Sequence, residues 1–461
     1  MWVDTNASSS LLLYPFLFAA ERFEERVAQV QEAKAPGQER DLSLWSVQKF
    51  PEDDLLAHVR RYLNPPEGTR PTALLWQMEH NAMRNWLTEQ IGGRVSRQQL
   101  SVNRRRIPFE LISIQLALFR VGVGFLIIQA QPISDSPEDW LDFLHAFRFA
   151  YGQRGVRLQI ELSATPGEPS PPEPRIQTLG QLIDNLLQTC GLPTERAARE
   201  VFVPGQLLPF AVLYVDAPRI SSKRAAELLY RVRNFFHTGR IIRPSASDLS
   251  MDHPALLPYA DQMWFTFSLE GGAFVAFNAP RTDFFRNELP IVRLRKHYFL
   301  LYLLALHQRF ALLSLSQQVA EHWLTGNARQ RTRAFERIRD RLLDFTARGY
   351  FTQVMQRENH HRVYKKWQET FQLEQIYREV SDEVREMHEY ILMEQTRRLE
   401  RRVNLLGAFV GAPALVMTFL GINLRGITAQ GEGLPFWLAL VLSLGAGGLL
   451  GAVVLWLLNR R

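Results

Sequence analysis

Residues 405–461, the last stretch of the chain, read LLGAFVGAPALVMTFLGINLRGITAQGEGLPFWLALVLSLGAGGLLGAVVLWLLNRR. The stretch holds two uncharged runs, residues 405–424 (20 residues) and residues 434–458 (25 residues). A hydrocarbon core about 30 Å thick takes about 20 apolar residues of helix, so each run is long enough to span one. A pair of buried core helices is the rival reading, but soluble helices of this length nearly always keep a polar face. Basic residues orient the hairpin. Arg397, Arg398, Arg401 and Arg402 precede the first run, and Arg460 and Arg461 close the second. The connector, residues 425–433, carries only Arg425 and Glu432. Positive charge stays on the cytoplasmic side, so both termini are expected in the cytoplasm of a multi-pass inner (plasma) membrane protein. Two spans cannot enclose a pore, so any conduction path has to come from several copies around an axis.

The end of the first run carries a motif. Gly421-Ile422-Asn423 closes it, and Pro413 lies eight residues before the glycine. Residues 424–427 (LRGI), a Gly-rich stretch and Pro435-Phe436 follow. This pattern resembles the CorA superfamily of divalent-cation channels and transporters. That family has two C-terminal spans, a proline within the first, and a Gly-Met-Asn motif at its outer end. With isoleucine in place of the methionine, the chain looks closest to the ZntB branch. The resemblance covers residues 351–461 and is architectural at most before them. It implies a homopentamer in a lipid bilayer and a divalent cation, Mg²⁺ or Zn²⁺, as substrate. The same resemblance leaves a second function open: a signal-gated CorA-like membrane effector, of the kind known beside CRISPR systems, opened by a small anionic nucleotide-type ligand.

Bulk properties fit a membrane protein with a large cytosolic part. Net charge is +7, from 54 Lys and Arg against 47 Asp and Glu, which suits anionic lipid and the positive-inside bias; no nucleic-acid partner is expected. The single cysteine, Cys190, rules out a disulfide framework within the chain. No His-Glu-x-x-His, Walker loop or Gly-x-Ser-x-Gly is present, no organic cofactor is evident, and the chain reads as a non-enzyme.

The expected fold is an α/β cytoplasmic domain over residues 1–282, then a helical region over 283–404 with a very long stalk helix, then the two-helix transmembrane hairpin. In the first part, residues 11–20 (LLLYPFLFAA) are too short to span a bilayer and read as a buried strand or short helix. Residues 21–32, 52–63 and 72–87 look helical. Residues 111–119 and 125–128 flank Val121-Gly122-Val123-Gly124 and read as a hairpin. Ser136-Pro137-Glu138-Asp139 opens a helix, with Ser136 as N-cap. A strand near 156–162, a Pro-rich linker at 164–174, a helix at 176–190, a strand at 207–215 and a helix at 222–236 follow. A second hairpin over 263–277 turns at Gly271-Gly272. Alternating strands and helices argue for an α/β domain with antiparallel hairpins in its sheet. Residues 297–315 are apolar but interrupted by His307, Gln308 and Arg309, and read as a core helix. Helices over 285–323 and 328–348 come next. No proline or glycine occurs from Phe351 until Gly407, so one helix about 100 Å long, over 351–420, is expected at 1.5 Å per residue.

Candidate sites follow from spacing. Asn404, Gly411 and Thr418 recur every seven residues, with Gly407, Ala414 and Gly421 interleaved. This small, weakly polar face suits either a pore lining or close helix packing. With Asn423 at the outer mouth, a ring of amide oxygens could hold the hydration shell of a hard cation; the resemblance assigns Asn423 that role. Arg425 and Glu432 sit in the mouth loop, and Arg397 and Glu400 would mark the inner entrance. Asp382, Glu383, Glu386 and His388, and separately Glu358, His360 and His361, have side chains that zinc prefers; solvated helix faces are the plainer reading. Arg94, Arg97, Arg104, Arg105 and Arg106 cluster in an expected loop that suits a phosphate-bearing ligand or plain solvent.

Overall fold

The structure is a computed structural model that describes residues 1–34, 43–91, 95–102, 105–151, 158–162, 178–193, 205–324 and 328–427, together with 441, 445–449 and 452. The chain divides into two compact units. The first comprises Met1–Gly326 and Glu336–Ser381, and the second Asn327–Phe335 and Asp382–Arg461.

The first unit is built on a large mixed sheet. In chain order its elements begin with β1 (Trp2–Val3), β2 (Ser9–Leu17), α1 (Phe23–Glu32), β3 (Trp45–Gln48), α2 (Ala57–Leu63), β4 (Ala73–Met78) and α3 (His80–Ile91). Next come β5 (Val95–Val102), β6 (Arg105–Phe119), β7 (Val123–Pro132), α4 (Pro137–Phe147), β8 (Leu158–Leu162) and α5 (Leu179–Thr189). Then follow β9 (Leu208–Asp216), α6 (Ser222–Arg233), β10 (Leu256–Ala260), β11 (Met263–Ser268) and β12 (Gly271–Phe277). The main path across the sheet is β10-β11-β12-β9-β2-β7-β6-β4-β3; β1 adds to β9, and β5 joins β6 to β8. Among the described strands only β9 and β12 pair in parallel. The expected alternation yields one parallel pair, β9 and β12, with α6 in the connection between them; the other described pairings are antiparallel, β6–β7 and β11–β12 being the expected hairpins.

Both faces of the sheet are buried, which explains the near-continuous apolar runs. Successive side chains point to opposite faces. In β2, Leu12, Tyr14 and Phe16 join the core that includes α1, α3, α4, α5 and α6, while Leu11 and Leu13 join the core on the other side. β7 divides in the same way, Leu126 and Ile128 against Phe125 and Ile127. Residues 11–20 thus contain a central strand.

The second core is closed by helices. A wide π-type segment, Phe284–Tyr298 with Pro290 inside it, leads into α7 (Phe299–Leu324). It is followed by α8 (Ala328–Arg348), α9 (Glu358–Thr370) and α10 (Leu373–Ile427). Leu300 to Leu306 of α7 are all at most 2% exposed. Among the described residues, Phe284–Glu321 is the one helical stretch long and apolar enough to cross a membrane, and 78% of its apolar window is buried inside the protein. The core-helix reading of residues 297–315 accounts for it.

Several local expectations differ from the structure. Residues 72–87 are not one helix: β4 occupies the first part and α3 starts at His80. The run ALLW fits either period, and pairing with β6 decides it. The hairpin of β6 and β7 turns at Arg120-Val121-Gly122. Gly122 has φ +94°, and a Cβ there would stand 2.5 Å from the Phe18 carbonyl oxygen. Gly124 lies inside β7, where a side chain would collide with the Phe16 ring. The 263–277 hairpin turns at Leu269-Glu270, since Ser268 pairs with Gly271. Ser136 holds the N-cap position of α4 with Pro137 after it, as expected, but its hydroxyl donates to Glu138 Oε2 at 2.8 Å instead of accepting a backbone N–H. Instead, Thr178 and Gln181 form a reciprocal capping box at α5.

The continuous helix expected over 351–420 is two helices. α9 stops at Thr370, Gln372 adopts φ +53°, and α10 starts afresh. Phe371 and Leu373 are both essentially buried, Phe371 stacked on Trp367 with ring centroids 5.2 Å apart. Burying both residues favours the break. At its other end α10 runs to Ile427, so Gly421-Ile422-Asn423 and Arg425 lie within the helix and not beyond it. Glycine alone disfavours a helix by only about 1 kcal/mol. Of the second expected span, residues 434–458, only 441, 445–449 and 452 are described, and 445–449 are helical; the rest, with Glu432, lies outside the described residues.

Candidate functional site

The small-residue face lies on α10 in the second unit. Asn404, Gly407 and Ala414 are exposed and Gly411 is half-buried. A Cβ built on Gly407 or Gly411 would meet nothing within 4 Å among the described residues. Thr418, Gly421, Ile422 and Asn423 continue the same helix. Upstream, Arg397, Glu400, Arg401 and Arg402 are exposed. So are large apolar side chains between and beyond them: Leu399 is 63% exposed, Val403 56% and Leu406 63%.

The candidate metal groups do not converge. Asp382, Glu383, Glu386 and His388 sit exposed along α10, with Asp382 paired to Arg385 at 2.8 Å. Among the described residues no three His, Cys, Asp or Glu side chains are placed to hold a metal ion. His360 and His361 diverge: His360 is 3% exposed and faces the core, and His361 is half-buried. The arginine cluster is not a loop. Arg97 belongs to β5, and Arg105 and Arg106 to β6, paired across the β5–β6 hairpin with Val102 and Ser101; Arg94 and Arg104 lie outside the described residues.

What His360 does join escaped the sequence reading. Its ring packs on Tyr298, centroids 4.7 Å apart, and meets His297 edge to face at 5.9 Å. His297 Nε2 lies 3.7 Å from Asp53 Oδ2. The neighbouring Asp54, held at φ +63°, pairs with Arg357 at 3.0 Å and Arg293 at 3.5 Å. Burial is the main cause that lowers both imidazoles, His360 to about 4; the Arg293 charge opposes protonation of both, while Asp53 and Asp54 favour it at His297 and Asp54 at His360. His307, a third buried histidine, takes part in a hydrogen bond with the Tyr62 hydroxyl at 3.1 Å, and burial alone pushes it down to about 3. In each case burial favours the neutral imidazole.

A cleft of about 320 Å³ opens beside His297, between the outer strands of the sheet and the helical layer. Its floor is apolar, with Leu75, Ile127, Leu300 and Leu303 buried at 8% exposure or less. Gln77 and Gln115 face each other across β4 and β6 in the same cleft. Lys49, Arg295 and Lys296 supply its positive charge and Asp53 its one carboxylate. Nothing in the local sequence marks these residues. Lys49 follows an edge strand and Lys296 ends a helical segment, and only the fold brings them together.

Comparison of the chain with protein-family models, with curated proteins and with solved structures returned no match.

Proposed function

We propose that the chain assembles through α10 into a CorA-like membrane pore that carries a divalent cation, magnesium or zinc. The supporting observation is the outward face of α10: Leu399, Val403 and Leu406 are each more than half exposed in one chain. Each such side chain forgoes about 1.5–3 kcal/mol by remaining in water. Lipid or further copies of the same helix would remove that cost, and the uncharged run that begins at Leu405 suits either. Small residues at Gly407 and Gly411, where a Cβ would meet no described neighbour, let helices approach closely around an axis. A ring of Asn423 amide oxygens would then hold a hydrated cation without stripping it. Arg425, one turn beyond or less, would oppose cation entry unless it pairs, and Glu432 is the nearest acid in the sequence.

The test is uptake of magnesium, zinc and cobalt into proteoliposomes, with and without a pH gradient. Selective uptake by the wild type, abolished in Asn423→Ala, supports the reading. Uptake of no ion, or uptake equal in the variant, would sink it.

A further inference from the structure

We infer that the cleft beside His297 is a binding site for a small phosphorylated organic molecule. This inference concerns the first unit alone and does not depend on the transport reading. Three observations carry it. The first is an excess of positive charge. Lys49, Arg295 and Lys296 line the cleft against one carboxylate, Asp53. Lys49 and Lys296 are exposed and neither has a carboxylate partner among the described residues. Cations left unpaired around a concave, low-dielectric wall focus positive potential into it and attract anions.

The second is the kind of donor on offer. Arg295 is already committed, one terminal nitrogen donating to the carbonyl oxygens of Asn6 and Ser8 at 3.2 and 3.1 Å. That nitrogen belongs to both two-point edges of the guanidinium, so its commitment weakens the grip of Arg295 on a carboxylate. What remains are mainly single-point donors: two ammonium groups, the uncommitted nitrogens of Arg295 and the side-chain amides. Gln115 Nε2 donates to Gln77 Oε1 at 3.4 Å, and among the described residues the Gln77 NH₂ has no hydrogen-bond acceptor. Separate donors from several directions match the oxygens of a tetrahedral phosphate, for which lysine acts as a point charge.

The third is the floor. Leu75, Ile127, Leu300 and Leu303 lie beneath the charged rim, and the space is within the range of ordinary ligand pockets. Bare phosphate would leave this apolar surface uncovered, whereas a phosphate ester covers it with its organic part.

The experiment is calorimetric titration of the full-length protein in detergent, with adenosine monophosphate, inorganic pyrophosphate and succinate as probes. Saturable binding of the monophosphate is expected, weakened about tenfold or more by the double variant Lys49→Gln/Lys296→Gln through loss of two charge-assisted contacts. The same binding should be unchanged in Arg106→Gln, on the β5–β6 hairpin. Gln77→Leu is the second variant: it keeps the charges and should also weaken the phosphate ester. Unaltered melting temperatures would show that each variant is folded. No saturable binding of the monophosphate overturns the inference. So does equal affinity in the double variant, loss in Arg106→Gln, or tighter binding of succinate than of either phosphate. Tighter binding of pyrophosphate than of the monophosphate would overturn the organic part.

Discussion

The imidazole of His297 meets that of His360 edge to face, ring centroids 5.9 Å apart at an interplanar angle of 83°. The contact joins the end of the π-type segment to α9, and both rings are 3% exposed or less. Two imidazoles this close and this dry cannot both hold protons cheaply. Burial depresses both, and His307 as well. A histidine depressed in the folded state binds fewer protons there than in the unfolded chain, so its contribution to stability is complete above pH 6.5 and is lost as the pH falls. For His360 the loss runs from about 6.5 down to about 4, and for His307 down to about 3. Each such group adds a slope approaching 1.4 kcal/mol per pH unit. The denaturation midpoint of the wild type should therefore drop between about pH 6.5 and 4.5. His360→Gln should show a smaller drop, even if it is less stable at neutral pH. An equal slope in the variant would refute this account.

Gly272 faces the indole of Trp367. A Cβ at this position would collide with that ring and stand 2.6 Å from the Thr266 carbonyl oxygen. Gly272→Ala is expected to destabilise the protein by about 1–3 kcal/mol, the usual range for overpacking. Trp367→Leu also destabilises, by opening a cavity beside Phe267 and Tyr302. The two changes share one volume, so their combined cost should fall short of the sum. Chemical denaturation of the four proteins measures the coupling.

Arg286 ties three chain segments. It donates to Asp4 Oδ2 at 2.8 Å, to Asp216 Oδ1 at 3.0 Å and to the Ala279 carbonyl oxygen at 2.8 Å. The cluster is largely shielded, with 17% of the arginine side chain exposed. Removing the cation leaves two carboxylates facing each other. Arg286→Ala should cost about 2–4 kcal/mol, and Arg286→Lys should recover only part, because an ammonium cannot reach all three acceptors in one plane. Full recovery by lysine would show that only net charge matters there.

Cys190 lets the small-residue face of α10 be tested with little background. The thiol is buried, accepts the Trp45 indole N–H at 3.2 Å, and is pushed up to about 12 by burial. It should stay unlabelled by maleimide in the native protein. A new cysteine at Gly411 should then cross-link copies of the chain on mild oxidation in the membrane. Leu406→Cys, about 140° away around the helix at 100° per residue, should cross-link far less. Equal yields at the two positions would contradict an assembly through the Gly407–Gly411 face.

What the sequence discloses depends on the range of the forces involved. Strands buried on both faces, such as β2 and β7, announce themselves as apolar runs. The β6–β7 hairpin is legible because Gly122 stands where a positive φ is needed. Helix α7 is legible as a core helix because His307, Gln308 and Arg309 interrupt it. The break at Gln372 is not legible: it has neither glycine nor proline and comes from burying Phe371 and Leu373 together. The strand β4 is masked by a run that fits two periods, and its partner β6 settles the choice. The cleft could not be read at all, since Lys49, Gln77, Gln115 and Lys296 come from four separate segments.

The cleft and the histidine pair meet at His297, which gives the proposed ligand a pH dependence of definite sign. The charged groups that act on this ring are Arg293 and Lys296 on its own segment, Asp53 and Asp54 from the turn before α2, and His360 on α9. Arg293 and Lys296 disfavour its protonation, and the two aspartates favour it. A bound phosphate between Lys49 and Lys296 adds negative charge on the favouring side and offsets the field of Lys296. It should raise the affinity of His297 for a proton, and by linkage protonation should tighten the phosphate. Affinity for the monophosphate dianion, after allowance for the ligand's own second ionisation near about 6, is therefore expected to rise as the pH falls and the depressed imidazole is recruited. His297→Asn should flatten that rise while leaving Lys49 and Lys296 in place. Calorimetry in buffers of different ionisation enthalpy would read the coupled proton as a difference: greater net uptake on binding in the wild type than in the variant, with equal values refuting the coupling.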